Sequence, residues 1–133
     1  MNLKAHASAG LFSALAVFLA TGDLTASVIV FAVQVGLILD FLFKKAIQFE
    51  PLHSLIGMIA IWVFSILLLP AYHWFVLMAY AFHLFLDIFV DEEIPLLYPS
   101  KKRISYPIES SEKIVIIASL IISIILIGII FLF

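Results

Sequence analysis

Five residues with side chains suited to acid–base or metal chemistry interrupt otherwise apolar runs: His6, Asp40, His53, His83 and Asp87. An ionisable group in such a run costs roughly 3 kcal/mol on insertion scales and faces a cavity or a partner. His83 and Asp87 are four apart, which on a helix puts them on one face about one turn apart. A His-x-x-x-Asp pair offers one nitrogen and one oxygen to a single cation. Zn²⁺ accepts that mixture, and Mn²⁺ and Fe²⁺ also fit it. Asp40 and His53 would bring the donor set to three or four. The expected metal ligands are therefore His53, His83, Asp87 and Asp40, with zinc the first choice. Asp40 or His6 is the expected general base, with His6 open as either a ligand or a proton carrier. Taken singly, each residue is as well explained by hydrogen-bonded packing, so the case rests on their meeting.

The elements that must bring them together follow from composition. The chain has 133 residues, 65% hydrophobic and 12% charged, against roughly 45–50% and 25% in a soluble domain. A globule of this size cannot hide that much apolar surface, so an integral membrane protein of one domain is expected. Disorder is excluded by the same numbers. There is no cysteine, hence no disulfide framework or thiolate site.

Five apolar runs approach the roughly 20 residues that cross a hydrocarbon core. They are Ala5 to Ala20, Thr25 to Phe43, Leu52 to Leu69, Tyr72 to Val90 and Ile114 to Phe133. Thr21-Gly22-Asp23 and Pro70-Ala71 supply the breaks. The runs are too long for strands and lack alternation. The expected fold is an all-α polytopic membrane helix bundle of about five transmembrane helices. Lys4 followed by an apolar run has the length of a signal peptide, but no small-x-small cleavage site follows, so that run is read as a retained span.

With five spans, Lys4, Lys44, Lys45, Lys101, Lys102, Arg103 and Lys113 all fall on one side. Basic residues stay cytoplasmic, which places the N-terminus inside and the C-terminus outside, in the inner or plasma membrane. Under this topology all five chemical residues lie toward the cytoplasmic leaflet, on four different helices. His73 serves as a control: it lies at the far end of the fourth span beside Tyr72 and Trp74 and reads as an interfacial aromatic-belt residue. Gln34 is mid-span and reads as an interhelical hydrogen-bonding residue. Ala5, Ser8, Ala9, Gly10 and Gly57 are read as allowing close helix packing.

The segment 91–113 is the one long polar connection, and Pro95, Pro99 and Pro107 keep it from forming a continuous helix. A turn or short helix is expected around Ile94 to Tyr98. Lys101, Lys102 and Arg103 set topology and would attract anionic lipid head groups, at about 1 kcal/mol per basic residue. Ser54 lacks the Gly-x-Ser-x-Gly surroundings of an activated nucleophile. No phosphate loop, dinucleotide motif or nucleic-acid stripe is present.

His6, Leu37-Ile38-Leu39-Asp40, Leu52-His53-Ser54-Leu55 and Ala81-Phe82-His83-Leu84-Phe85-Leu86-Asp87 occur in an order that resembles the YdjM-like family of small membrane proteins. Ile94-Pro95-Leu96-Leu97-Tyr98-Pro99, followed by Lys101-Lys102-Arg103-Ile104, looks like the family's closing motif. The resemblance covers about residues 1–107 and leaves the helix over 114–133 as an addition. It implies an inner-membrane-associated, metal-dependent hydrolase of a family also described as LexA-binding. The motif set is depleted: Leu39-Asp40-Phe41-Leu42-Phe43 stands where the family has Pro-Asp-x-Asp-His, and Gln48 stands where it has a histidine. Gln48 and Glu50 are the nearest replacement donors. The functional expectation is a membrane-embedded metal-dependent hydrolase at the cytoplasmic leaflet, acting on a phosphoester or lipid head group. The alternative is a catalytically depleted scaffold or ion-binding protein. A proton or ion transporter ranks last, because the outer half offers only Gln34 and a few hydroxyls.

Overall fold

The computed structural model describes residues 3–44, 50–90, 95–100, 104 and 111–132, and every element in it is helical. Helix α1 spans Leu3–Thr21, α2 Leu24–Lys44, α3 Leu55–Leu68, α4 His73–Val90 and α5 Ser111–Leu132; a short 3-10 turn, Glu50–His53, precedes α3. The all-α expectation holds. Among the described residues one helix, over Lys4–Thr21, is long and apolar enough to cross a membrane. The apolar stretches Leu24–Leu37, Leu55–Leu68, His73–Phe89 and Lys113–Ile129 are shorter.

Local chemistry sets the helix ends. Gly22 adopts φ +68°, the left-handed conformation that glycine enters without a Cβ penalty, and its N–H donates to the Phe18 carbonyl (2.7 Å). Asp23 then caps α2, its Oδ1 accepting from the Ala26 N–H at 3.0 Å. The expected break at 21–23 is thus a C-cap and an N-cap in immediate succession.

The third element departs from expectation. Leu52 and His53 do not open a long helix; they close the 3-10 turn, and Ser54 caps α3 by accepting from the Gly57 N–H at 3.2 Å. Pro51 lacks an N–H and suits a helix start better than a helix interior. A serine able to cap then restarts the helix after it. The turn expected around Ile94 to Tyr98 is present over the described part, with Tyr98 N–H donating to the Pro95 carbonyl at 2.9 Å.

Helix α1 packs against α2 and α5; α2 and α3 each pack against α4, and α1 also meets α4. Small residues permit the α1 contacts, as expected: Ala5 and Ala9 are buried. A Cβ on Gly10 would lie 3.1 Å from the Gln34 Cβ, so a larger residue there would push α1 and α2 apart by a few tenths of an ångström. Leu37, Tyr80 and Leu84 form a buried core, with Val33, Met58, Ile61 and Leu96 packed around it. That core lies one turn or less from His83 along α4.

Candidate metal centre

His83 and Asp87 face the same way because they are four apart on α4, and both are fully buried. Helix α1 brings His6 against them from its first turn, where Ala5 beside it is also buried. His53 arrives from a third direction, at the end of the 3-10 turn. Two anchors hold that turn. The Tyr80 hydroxyl donates to the Leu52 carbonyl. The Leu55 N–H donates to the Leu96 carbonyl at 3.0 Å, tying the start of α3 to the Pro-rich segment.

Asp87 is the hub. His6 Nε2 lies 3.0 Å from Oδ1, His83 Nε2 3.4 Å from Oδ2, and His53 Nε2 3.8 Å from Oδ2. The His6 and His83 rings are 4.5 Å apart between centroids, and those of His53 and His83 5.8 Å. One carboxylate thus addresses three imidazoles, with a different oxygen turned to α1 than to α4 and the 3-10 turn. All four residues are buried.

The donor set fits a metal ion. One ligand atom each from His6, His83 and Asp87 can be chosen so that all lie within 4.8 Å of one another. Ligands about 2.0–2.2 Å from a tetrahedral zinc sit roughly 3.3–3.6 Å apart, and the His83–Asp87 separation falls in that range. Two imidazoles and a carboxylate are also a known catalytic zinc set. The group could hold a metal ion, and its composition suits several borderline divalent ions.

The outcome of the sequence reading differs residue by residue. His53, His83 and Asp87, expected as ligands, come together. His6, expected as either a ligand or a proton carrier, stands closer to Asp87 than His53 does and belongs to the ligand-capable trio. Asp40 lies on α2, but its side chain falls outside the described ones, as does that of Glu50. Gln48, Lys101, Lys102 and Arg103 also lie outside the described residues. His73 is elsewhere, beside Trp62 and Trp74, with its Nδ1 2.7 Å from the Pro70 carbonyl. Gln34 bonds across helices as expected, its Nε2 donating to the Ala79 carbonyl at 2.9 Å. Ser54 is a helix cap.

Tyr80 went unnoticed in the sequence. The signal was there: a phenol three residues before His83 in an apolar run shares its helix face and needs a hydrogen-bond partner when buried. The grip of Leu96 on α3 had no comparable signal, because a backbone-to-backbone bond leaves no mark on residue type. No protein-family model matches the chain, and no curated protein or solved structure matches it either.

Proposed function

We propose that the chain is a multi-pass membrane protein whose His6–His53–His83–Asp87 cluster is the centre of a metal-dependent hydrolase, working at the cytoplasmic leaflet on a phosphoester or lipid head group. The membrane part of this reading is supported by surface chemistry. Leu24, Leu67, Phe131 and Leu132 are 67%, 76%, 86% and 80% exposed, and such broad apolar exposure suits lipid far better than water. Helices α2 and α5, at 21 and 22 residues, are about 31 and 33 Å long, close to the roughly 30 Å hydrocarbon core. Orientation rests on the expectation from the sequence that the basic residues share the side of His6 and His53. The likeness to YdjM-like proteins points the same way.

One observation carries the catalytic part: a single buried carboxylate within 3.0–3.8 Å of three imidazoles drawn from three separate elements. Desolvating four such groups is costly unless they serve one another or a shared ion. His6, His83 and Asp87 would hold a divalent cation, with zinc the favoured one. Such an ion supplies Lewis acidity and a more acidic water. Asp87 also fixes both rings, since each of its oxygens faces a different helix. His53, the most distant of the three imidazoles from Asp87, would take the proton from the attacking water and return it to the leaving group. Lys101, Lys102 and Arg103 would hold the anionic head group at the surface.

The second reading is a structural cluster without turnover. The 3.0 Å separation of His6 and Asp87 favours it, because that is a hydrogen-bonding distance in its own right. Elemental analysis of protein purified in detergent separates the two. A stoichiometric divalent ion, with a melting temperature that drops on chelation, supports the hydrolase. A metal-free protein indifferent to chelator leaves the scaffold.

A further inference from the structure

The cluster is shut. The side chains of His6, His83 and Asp87 are wholly buried, and that of His53 is nearly so. The apolar clefts beside α1 and α4, among α2, α3 and α4, and among α1, α2 and α5 are lined by none of the four. A centre that binds an ion and turns over a substrate has to admit both, so some element must move.

The elements differ in what moving them would break. His6, His83 and Asp87 ride on α1 and α4. Shifting either helix strips buried contacts along it, at Ala5 and Ala9 on one and at Val76, Ala79 and Leu84 on the other. His53 rides on the four-residue 3-10 turn, a conformation whose hydrogen-bond geometry is intrinsically poorer. Ser54, extended at φ −132° and ψ 165°, joins that turn to α3. Rotation about the Ser54 N–Cα bond swings the turn, while the Ser54 side chain keeps its cap bond to the Gly57 N–H. The Tyr80 hydroxyl latches the turn by holding the Leu52 carbonyl. Tyr80 lies on the same face of α4 as His83 and Asp87, three and seven residues before them. On the other side of the pivot, the Leu96 carbonyl fixes the start of α3 through the Leu55 N–H, and the Leu96 side chain packs against Leu37, Tyr80 and Leu84.

We propose that the 3-10 turn Glu50–His53 is the door of the cluster. It opens by pivoting at Ser54 when the Tyr80 hydroxyl releases the Leu52 carbonyl, and it carries His53 away from Asp87 so that His6, His83 and Asp87 meet water. The bond from Leu55 to Leu96 is the fixed post against which the turn moves. His53 is the imidazole whose departure costs least at the hub: it stands 3.8 Å from Asp87, beyond hydrogen-bonding distance, whereas His6 stands at 3.0 Å. This rests on the hydrolase reading and adds its regulation. With the turn out, ion and substrate enter but the proton-transfer group is absent; with the turn in, His53 is in place and the centre is closed. Admission and chemistry then belong to separate states.

The test is modification of the full chain in lipid nanodiscs by diethyl pyrocarbonate, which acylates accessible imidazoles, with the rate at each histidine read by mass spectrometry. It is run on the protein as purified and again with chelator, so that a bound ion does not shield the ligand rings. His73, outside the cluster, is the internal reference. In the unsubstituted protein His53 is expected to react first among the cluster histidines, and at least about tenfold more slowly than His73. Tyr80→Phe should speed His53, His6 and His83 about fivefold, the factor that one net hydrogen bond contributes, and leave His73 unchanged. Leu55→Pro supplies the contrast. It deletes the N–H that Leu96 holds, at the first position of α3, where proline is tolerated and the extended Ser54 before it suits a proline. Because that bond lies on the α3 side of the pivot, the cluster rates should stay within twofold. The reverse pattern, with Leu55→Pro the faster variant, would make the segment 95–100 the door and overturn the proposal. So would cluster rates equal to that of His73, no response to Tyr80→Phe, or His6 or His83 reacting ahead of His53. If the rates follow the door but no lipid or phosphoester is hydrolysed, the moving turn stands and the hydrolase reading fails.

Discussion

The two halves of α4 each present a histidine, and they differ in every respect that decides what an imidazole does. His73 opens the helix among half-buried and exposed aromatic rings; its Nδ1 meets a backbone carbonyl, and Trp74 beside it is 57% exposed. His83, about 15 Å along the helix, is wholly buried with a carboxylate 3.4 Å away and two further imidazoles near it. The first end resembles the amphipathic rim where aromatic residues settle between lipid and water. The second concentrates ionisable groups where they are costly and hence purposeful. The same residue type on one helix thus takes its role from burial and from the nearest carboxylate.

The strongest way to break this contrast is to remove the carboxylate. Asp87→Ala takes away the hub of the cluster, and we expect complete loss of bound metal and at least a 10³-fold fall in turnover, since the site loses a ligand and the orientation of both rings together. Metal content by elemental analysis and release of head group from lipid vesicles check this. Full metal retention would show that the ion, if bound, sits elsewhere.

A matched pair of substitutions sharpens the contrast next. His6→Ala should weaken metal affinity at least 100-fold. His73→Ala should leave it within twofold and cost only about 1 kcal/mol of stability, the worth of one exposed hydrogen bond and some ring packing. Competitive titration with a chromophoric chelator reads both affinities. Equal losses for the two variants would mean that the ends of α4 are not distinct and that the comparison is wrong.

Much of this contrast was legible beforehand, and the reasons are physical. Helix period fixed His83 and Asp87 on one face, and the one-sided basic residues placed His6 and His53 at the same end. His73 was separated from them by helix length alone. What could not be read was the backbone between the spans. An apolar run signals its own length, yet it does not show that Pro51 and Ser54 would split off a 3-10 turn. Nor does it show that the carbonyl of Leu96 would receive the Leu55 N–H. Spacing along one helix leaves His6 open as a ligand or a proton carrier; its place beside Asp87 depends on how α1 packs on α4.

A smaller effect is expected where that unseen backbone matters. Tyr80→Phe deletes the hydroxyl that holds the Leu52 carbonyl, one residue from His53. Leaving that carbonyl unpaired costs about 1–3 kcal/mol. Because His53 is assigned proton transfer and not metal binding, kcat should fall about 3–10-fold while metal content stays constant. A parallel loss of metal would move His53 into the ligand set. An unchanged kcat would remove it from the mechanism.

The least effect is expected midway between the two ends. Gln34 is fully buried on α2; its amide nitrogen bonds the Ala79 carbonyl, and its Oε1 is buried without a partner. Gln34→Leu removes one buried interhelical hydrogen bond, worth about 1 kcal/mol. It also removes an unsatisfied buried oxygen, which offsets the loss. Leucine keeps the Cβ that packs 3.1 Å from where a Gly10 Cβ would stand, and being unbranched there it adds no clash. Stability should therefore change by less than about 1 kcal/mol, with metal affinity and turnover unaltered. A tenfold drop in affinity would mean that the polar site extends along α2 past the last turns of α4. The boundary between a reactive end and an inert one would then lie closer to His73 than the side-chain distances around Asp87 imply.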